Sequence, residues 1–193
     1  DLDAIAPDEL VDVLGRIERT SEHTVRIVNE LLLLASVRKG DVKMVPVDMG
    51  PVVQGALDRL NAMIGEHHAV ITVPARWPVV LGHALWIEEL WANYISNAMK
   101  YGGRPPQVEV GADLLEGSHV RFWVRDNGPG ITAAQQQKIF AEFSRLEGAR
   151  GEGHGLGLSI VKRIADRLDG VVGMTSEMGQ GSVFFFTLPR APD

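Results

Sequence analysis

The chain has 193 residues, 45% of them hydrophobic and 23% charged, the balance of a globular protein with a core rather than of a disordered segment. Its net charge of −6, with no block of like charge, gives no electrostatic ground for a nucleic acid or an anionic membrane surface as partner. The absence of cysteine excludes disulfides and thiolate metal sites, and no run approaches the roughly 18 apolar residues that cross a bilayer.

Pro7, with Asp8 and Glu9 in the first turn, opens a helical pattern that continues to about Val37 and stops near Gly40. Leu10, Leu14, Ile17, Ser21, Thr24, Val28, Leu31 and Ala35 alternate spacings of four and three, the seam of a coiled coil or helical bundle that Ser21 and Thr24 weaken in its middle. Near its end the run LLLLA is apolar almost all round, so this helix must pack on others, from a second copy or from a segment outside this sequence. His23 lies one step off the seam with only Glu22 as acidic neighbour, and reads as a solvated helical residue. Residues 1–40 are therefore expected to form a bundle helix and residues 41–193 a separate domain.

Asp48 is placed to cap a helix that starts near Pro51, with Val52, Ala56, Leu60 and Met63 or Ile64 on its inner face. Short alternating or apolar runs then predict strands at Ala69–Val73, Gln107–Ala112, His119–Arg125, Val171–Thr175 and Ser182–Leu188. The second and third are joined through DLLEGS as a hairpin, and the last carries Phe184 and Phe186 on one face with Phe185 on the other. Hairpins with helices interspersed argue for an α/β sandwich, one mixed sheet with helices on one face.

Between these runs, Ala84 to Tyr101 predicts a helix with two distinct faces. At 3.6 residues per turn Trp86, Glu89, Asn93, Asn97 and Lys100 fall within roughly 80° of one another, while Ile87, Leu90, Trp91, Tyr94, Ile95, Ala98 and Tyr101 fill the adjoining apolar arc. Asn is a poor helix former, yet its amide oxygen is a neutral, hard ligand suited to a Mg²⁺ that already carries nucleotide phosphates. Glu89 and Asn97 are about 12 Å apart along the axis at about 1.5 Å per residue, too far to share one ion. Side chains lean toward the helix N-terminus, so Asn97 leans toward Asn93; the metal is assigned to Asn97, its near shell to Asn93, and at most a water or substrate proton to Glu89.

Two glycine-rich stretches follow. Asp126-Asn127-Gly128-Pro129-Gly130-Ile131 ends a strand, where a partly buried carboxylate can accept from an exocyclic amine and bare backbone lets a flat base approach. Gly151-Glu152-Gly153-His154-Gly155-Leu156-Gly157 runs into the helical pattern LSIVKRIADRL, and its successive N–H groups with the helix N-terminus behind them suit a phosphate. It is neither a Rossmann nor a Walker loop. The segment between, TAAQQQKIFAEFSRLEGAR, is a short helix with aromatic anchors hung between glycine hinges, the makings of a closing lid, on which Arg145 is the cation placed to reach a terminal phosphate.

Together and in this order these motifs resemble the ATP-binding module of the GHKL superfamily, most closely the sensor histidine kinases. NYISNAMKYG is similar to that family's asparagine box, DNGPGI and GHGLGLSIVKRIADRLDG to its glycine boxes, IFAEFSRL to its phenylalanine box and GQGSVFFFTLP to its last motif; IERTSEHTVRIVNELLLLASVRKG is similar to the second helix of the dimerisation and phosphotransfer domain. The fold implied is the Bergerat two-layer α/β sandwich, preceded by the bundle helix. The resemblance implies ATP and Mg²⁺ as cofactors, with Asn97 on the metal, Lys100 and Arg145 on the phosphates, Asp126 on the adenine amine, and Gly155 and Gly157 along the triphosphate. Tyr101, Gly128, Gly130, Ile131, Gly153, His154 and Leu156 complete the nucleotide site from the same boxes, Glu89 and Asn93 the catalytic group. Thr187 on the last strand matches a position that supports the adenine through water.

The implied activity is transfer of the ATP γ-phosphoryl group to a histidine, with a response-regulator receiver domain and a second copy of the chain, paired through the bundle, as partners. The family's acceptor stands in a segment like His-Glu-x-x-x-Pro on the first helix of the phosphotransfer domain, and no such segment occurs here, so the acceptor is expected outside this chain. A cytoplasmic setting fits, as does a place as the cytoplasmic part of a membrane-bound sensor whose membrane contact lies upstream. Two other readings use the same pocket: a GHKL ATPase with Glu89 as base to water, and a nucleotide-binding pseudokinase scaffold.

Overall fold

The computed structural model describes residues 9–10, 13–17, 20–21, 43–140 and 157–192. The chain divides into two compact units, Asp1–Lys39 and Gly40–Asp193. The described residues of the first are helical, with the Thr20 hydroxyl donating back to the Arg16 carbonyl at 2.8 Å, and Leu10, Val13, Leu14 and Ile17 exposed. Ser21 of the expected seam is exposed as well; Thr24, Val28, Leu31 and Ala35 of the seam, and His23, lie outside the described residues.

The second unit runs β1 (Val45–Asp48), α1 (Met49–Arg59), α2 (Asn61–His67), β2 (Val70–Thr72), β3 (Val79–Gly82), α3 (Ala84–Tyr101), β4 (Gln107–Leu114), β5 (His119–Asp126), α4 (Ala133–Gln136), α5 (Gly157–Arg167), β6 (Val172–Glu177) and β7 (Gly181–Pro189). Five strands form one mixed sheet in the order β2-β4-β5-β7-β6, with β2–β4 parallel and the other pairs antiparallel. Alternation sets the inner face: Val108, Val110, Val120, Phe122, Val124, Phe184, Phe186 and Leu188 are buried. Against it α3 lays Ile87, Leu90, Trp91, Tyr94 and Ile95, all buried, and α3 also packs on α1 and α5. Trp91, Phe122 and Phe186 form an aromatic knot with centroids 5.2–5.9 Å apart, each ring contributing about 1.5–3 kcal/mol through burial. The Tyr94 hydroxyl donates to the Phe185 carbonyl at 3.1 Å, and burial pushes its phenol pKa well up, so it stays a neutral donor.

The outer face, among the described residues, pairs large rings with glycines. Trp123 lies over Gly111 and Phe185 over Gly173, and Arg125 and Arg121 stack on these rings at 5.3 and 5.7 Å.

Three expectations are corrected. The mixed sheet is accompanied by a second, two-stranded antiparallel ladder of β1 and β3, tied to the main unit by the Val80–Arg190 bridge. Pro46 hides β1 because proline argues against a strand unless the strand is an edge, which this one is. The helix from Pro51 breaks at Leu60 (φ −95°, ψ 4°), so Leu60, Met63 and Ile64 are half-buried rather than on one inner face. Tyr101 is exposed, because the chain turns away at Gly102 before the apolar arc of α3 reaches it. The Asp48 cap is as expected, its carboxylate accepting from the Gly50 N–H at 3.0 Å.

Candidate functional site

The stripe of α3 that carries Glu89, Asn93, Asn97 and Lys100 is half-buried along its length. Asn97 Nδ2 reaches Asn93 Oδ1 at 3.4 Å, the lean toward the N-terminus that helix geometry imposes. A Cβ added at Gly157 would come within 2.6 Å of Asn93 Oδ1, so the N-terminus of α5 is pressed against this stripe. An eleven-residue helix brings its positive dipole end there, beside two neutral amides. Among the described residues no cluster of three or more His, Cys, Asp or Glu could hold a metal. The chemistry of the stripe instead fits a cation that brings most of its oxygen ligands with a nucleotide and takes one amide oxygen from the protein.

Glu89 is engaged elsewhere. Its carboxylate accepts from Arg59 Nη1 of α1 at 2.8 Å, an ion pair that raises the Arg59 pKa chiefly through this hydrogen bond.

The other side of the site is made by strand ends. Asp126 closes β5 and is buried; its Oδ1 accepts from the Gly128 N–H at 2.8 Å and the Ser182 N–H at 3.2 Å. Desolvation raises its pKa above the ordinary carboxylate value, and the two N–H donors act against that shift. Oδ2 has no hydrogen bond among the described residues. Gly181 makes this approach possible: at φ 82° its bare Cα sits against the Asp126 carbonyl, where a side chain would collide. A Cβ at Gly128 would come within 2.6 Å of the Tyr101 carbonyl, which places the Asp126 loop directly on the last turn of α3. The half-buried Ile131 is held by its N–H to Ser176 Oγ at 2.8 Å. Gln136 of α4 donates to the carbonyls of both Ile131 and Ser176 at 2.8 and 2.9 Å. Ser176 spends its one hydroxyl hydrogen on the Gly181 carbonyl, so the contact at 3.0 Å to Ser182 is donated by Ser182, whose own N–H donates to Asp126.

Asn93, Asn97, Asp126, Gly128 and Gly157 are thus brought together, with Lys100 on the same stripe, Tyr101 under the loop and Gly130 against the Glu177 carbonyl. Thr187 is not. It lies five residues along β7 from Ser182, about 16 Å at 3.3 Å per residue, and its hydroxyl accepts from the Val171 N–H at 2.9 Å. The β7 residue that reaches Asp126 is Ser182, by its N–H; its position straight after Gly181, at the start of the FFF strand, is the signal that would have marked it. Arg145, Gly153, His154, Gly155 and Leu156 lie outside the described residues. Sequence reasoning also passed over Ser176, Gln136 and Asn127, polar residues with no periodic signal.

Residues 82–192 match the family described as histidine kinase-, DNA gyrase B- and HSP90-like ATPases. The chain belongs to this family. Within it the resemblance is to sensor histidine kinases. The methanogenesis regulatory histidine kinase FilI of Methanothrix harundinacea is 33% identical over 98% of this chain and 21% of its own length. Full-length ShkA, solved in complex with AMPPNP, is 26% identical with a TM-score of 0.77 over 98% of this chain and 40% of that one. The mycobacterial sensor histidine kinase MprB is 27% identical, TM-score 0.67, over 77% of this chain and all of that one. The chain spans between about a fifth and a half of the lengths of the curated relatives it matches. It carries the GHKL fold and the ATP-binding catalytic domain of sensor histidine kinases, and no helix among its described residues is long and apolar enough to cross a membrane.

Proposed function

We propose that the chain binds Mg²⁺·ATP in this site and, as part of a longer sensor kinase, transfers the γ-phosphoryl group to a histidine outside these 193 residues. The observation that carries the reading is Asp126: a buried carboxylate held by two N–H groups, one oxygen left to accept, set against the helix end that bears Asn93 and Asn97. Asp126 accepts from the adenine amine. Asn97 holds the metal with Asn93 behind it, and Lys100 and the N-terminus of α5 face the phosphates; Arg145, Gly153 and Gly155 are assigned to the phosphates by the motif resemblance. Mg²⁺, when bound, neutralises the phosphate charge that develops as the terminal bridge breaks.

In the transfer an imidazole nitrogen of the acceptor forms the new bond to phosphorus, the bond to the β–γ bridging oxygen breaks, and ADP leaves with the electron pair. This chain's residues supply positioning and charge. A second copy meets the chain through the apolar face of its N-terminal helix, a receiver domain takes the phosphoryl group onward, and the setting is cytoplasmic. Hydrolysis with Glu89 as base is disfavoured by its ion pair with Arg59.

Calorimetric titration with ADP and Mg²⁺·ATP tests the reading. Asp126→Asn places a donor where the amine donates and is expected to weaken both ligands by about 10- to 150-fold, the loss of one charge-assisted hydrogen bond. Asn97→Asp is expected to alter the Mg²⁺ dependence. Unchanged affinity in both variants would sink the assignment.

A further inference from the structure

We infer that Asn127 is a positioning residue that sets the distance between the base-binding carboxylate and the phosphate-binding helix; this rests on the adenine-nucleotide reading of the site. Asn127 follows Asp126 directly, yet its side chain is turned to a different part of the chain. Its Oδ1 accepts two main-chain N–H groups, from Gly103 and Gln107, each at 2.9 Å, and its Nδ2 donates to the Pro105 carbonyl at 3.2 Å. Those three residues span the connection from the end of α3 to the start of β4. One amide therefore uses its acceptor twice and a donor once to fasten the exit of α3 to the end of β5. The contact is close on every side: a Cβ at Gly103 would come within 2.6 Å of Asn127 Nδ2, and one at Gly128 within 2.6 Å of the Tyr101 carbonyl.

The consequence is chemical. The base subsite hangs from Asp126, immediately before the staple, and the phosphate subsite from Asn93 and Asn97, on the last turns of the stapled helix. A ligand that reaches both gains from their fixed separation, because binding at one holds the other end at high effective concentration. A ligand that reaches one gains nothing. Loosening the staple should therefore weaken an adenine nucleotide and spare adenosine, a pattern that general loss of structure does not produce.

The experiment titrates the chain and its Asn127→Ala and Gly103→Ala variants with adenosine and with Mg²⁺·ADP, following amide shifts by NMR. Gly103→Ala reaches the staple from the other side, by pushing on the Asn127 amide and on the Asn127 carbonyl behind it, and decides the matter if Asn127→Ala does not fold. Expected is a loss of about tenfold for Mg²⁺·ADP with adenosine within about twofold of the native chain, in either variant. Equal losses for the two ligands, or none for either, would overturn the coupling while leaving the nucleotide site intact. A native chain that binds neither ligand would overturn the nucleotide reading itself.

Discussion

On the base side of the site, Asp126, Gly128, Ser182 and Ser176 are tied to one another by hydrogen bonds of 2.8–3.2 Å between strand ends and turns. On the phosphate side, Asn93, Asn97 and Lys100 stand on one helix, and the bond between the two amides is long, at 3.4 Å. On the base side Asp126 is anchored on main-chain N–H groups, which have few alternative positions; the phosphate side is set by side chains that can turn. A planar base of fixed shape suits the first, and a flexible polyphosphate with its cation suits the second.

The largest test of this difference compares two glycines. Gly181→Ala forces a side chain at φ 82° into the Asp126 carbonyl, main chain against main chain, and should cost at least about 3 kcal/mol in urea unfolding. Gly157→Ala meets the Asn93 side chain, which can rotate, so its stability should stay within about 1 kcal/mol while nucleotide affinity falls. Similar unfolding midpoints for the two would erase the contrast.

A smaller effect separates the two hydroxyls of β7. Ser182→Ala should weaken adenosine severalfold, because its hydroxyl ties Ser176 to the residue whose N–H donates to Asp126. Thr187→Ala should leave binding unchanged and cost about 1 kcal/mol of stability through the Val171 N–H it leaves unpaired. The reverse outcome would return the base-supporting role to Thr187.

The smallest concerns pH. Burial raises the Asp126 pKa in the folded chain above its unfolded value, so the folded state holds the proton more tightly. That contribution to stability is complete below the ordinary carboxylate pKa and is lost as pH rises through the raised one. Denaturation midpoints followed across that window should fall with pH in the native chain and flatten in Asp126→Asn; an identical slope in both would show that Asp126 does not titrate differently on folding.

The amino-acid sequence by itself determined α3 and its polar stripe, because helical periodicity is local: Asn93 and Asn97 share a face wherever the helix sits, and Ile87, Leu90, Trp91, Tyr94 and Ile95 turn inward as their spacing requires. It also determined the carboxylate at the end of β5 and the glycines around it, since turn chemistry is written in neighbouring residues. Only the tertiary structure decided what depends on pairing across the chain. The register of β5 on β7 brings Ser182 rather than Thr187 to Asp126, a choice made between residues more than fifty positions apart. The exposure of Tyr101, the commitment of Glu89 to Arg59, and the fastening of Asn127 to the α3–β4 connection were decided in the same way. A polar side chain has no period of its own, and its partner is fixed by where distant elements come to rest.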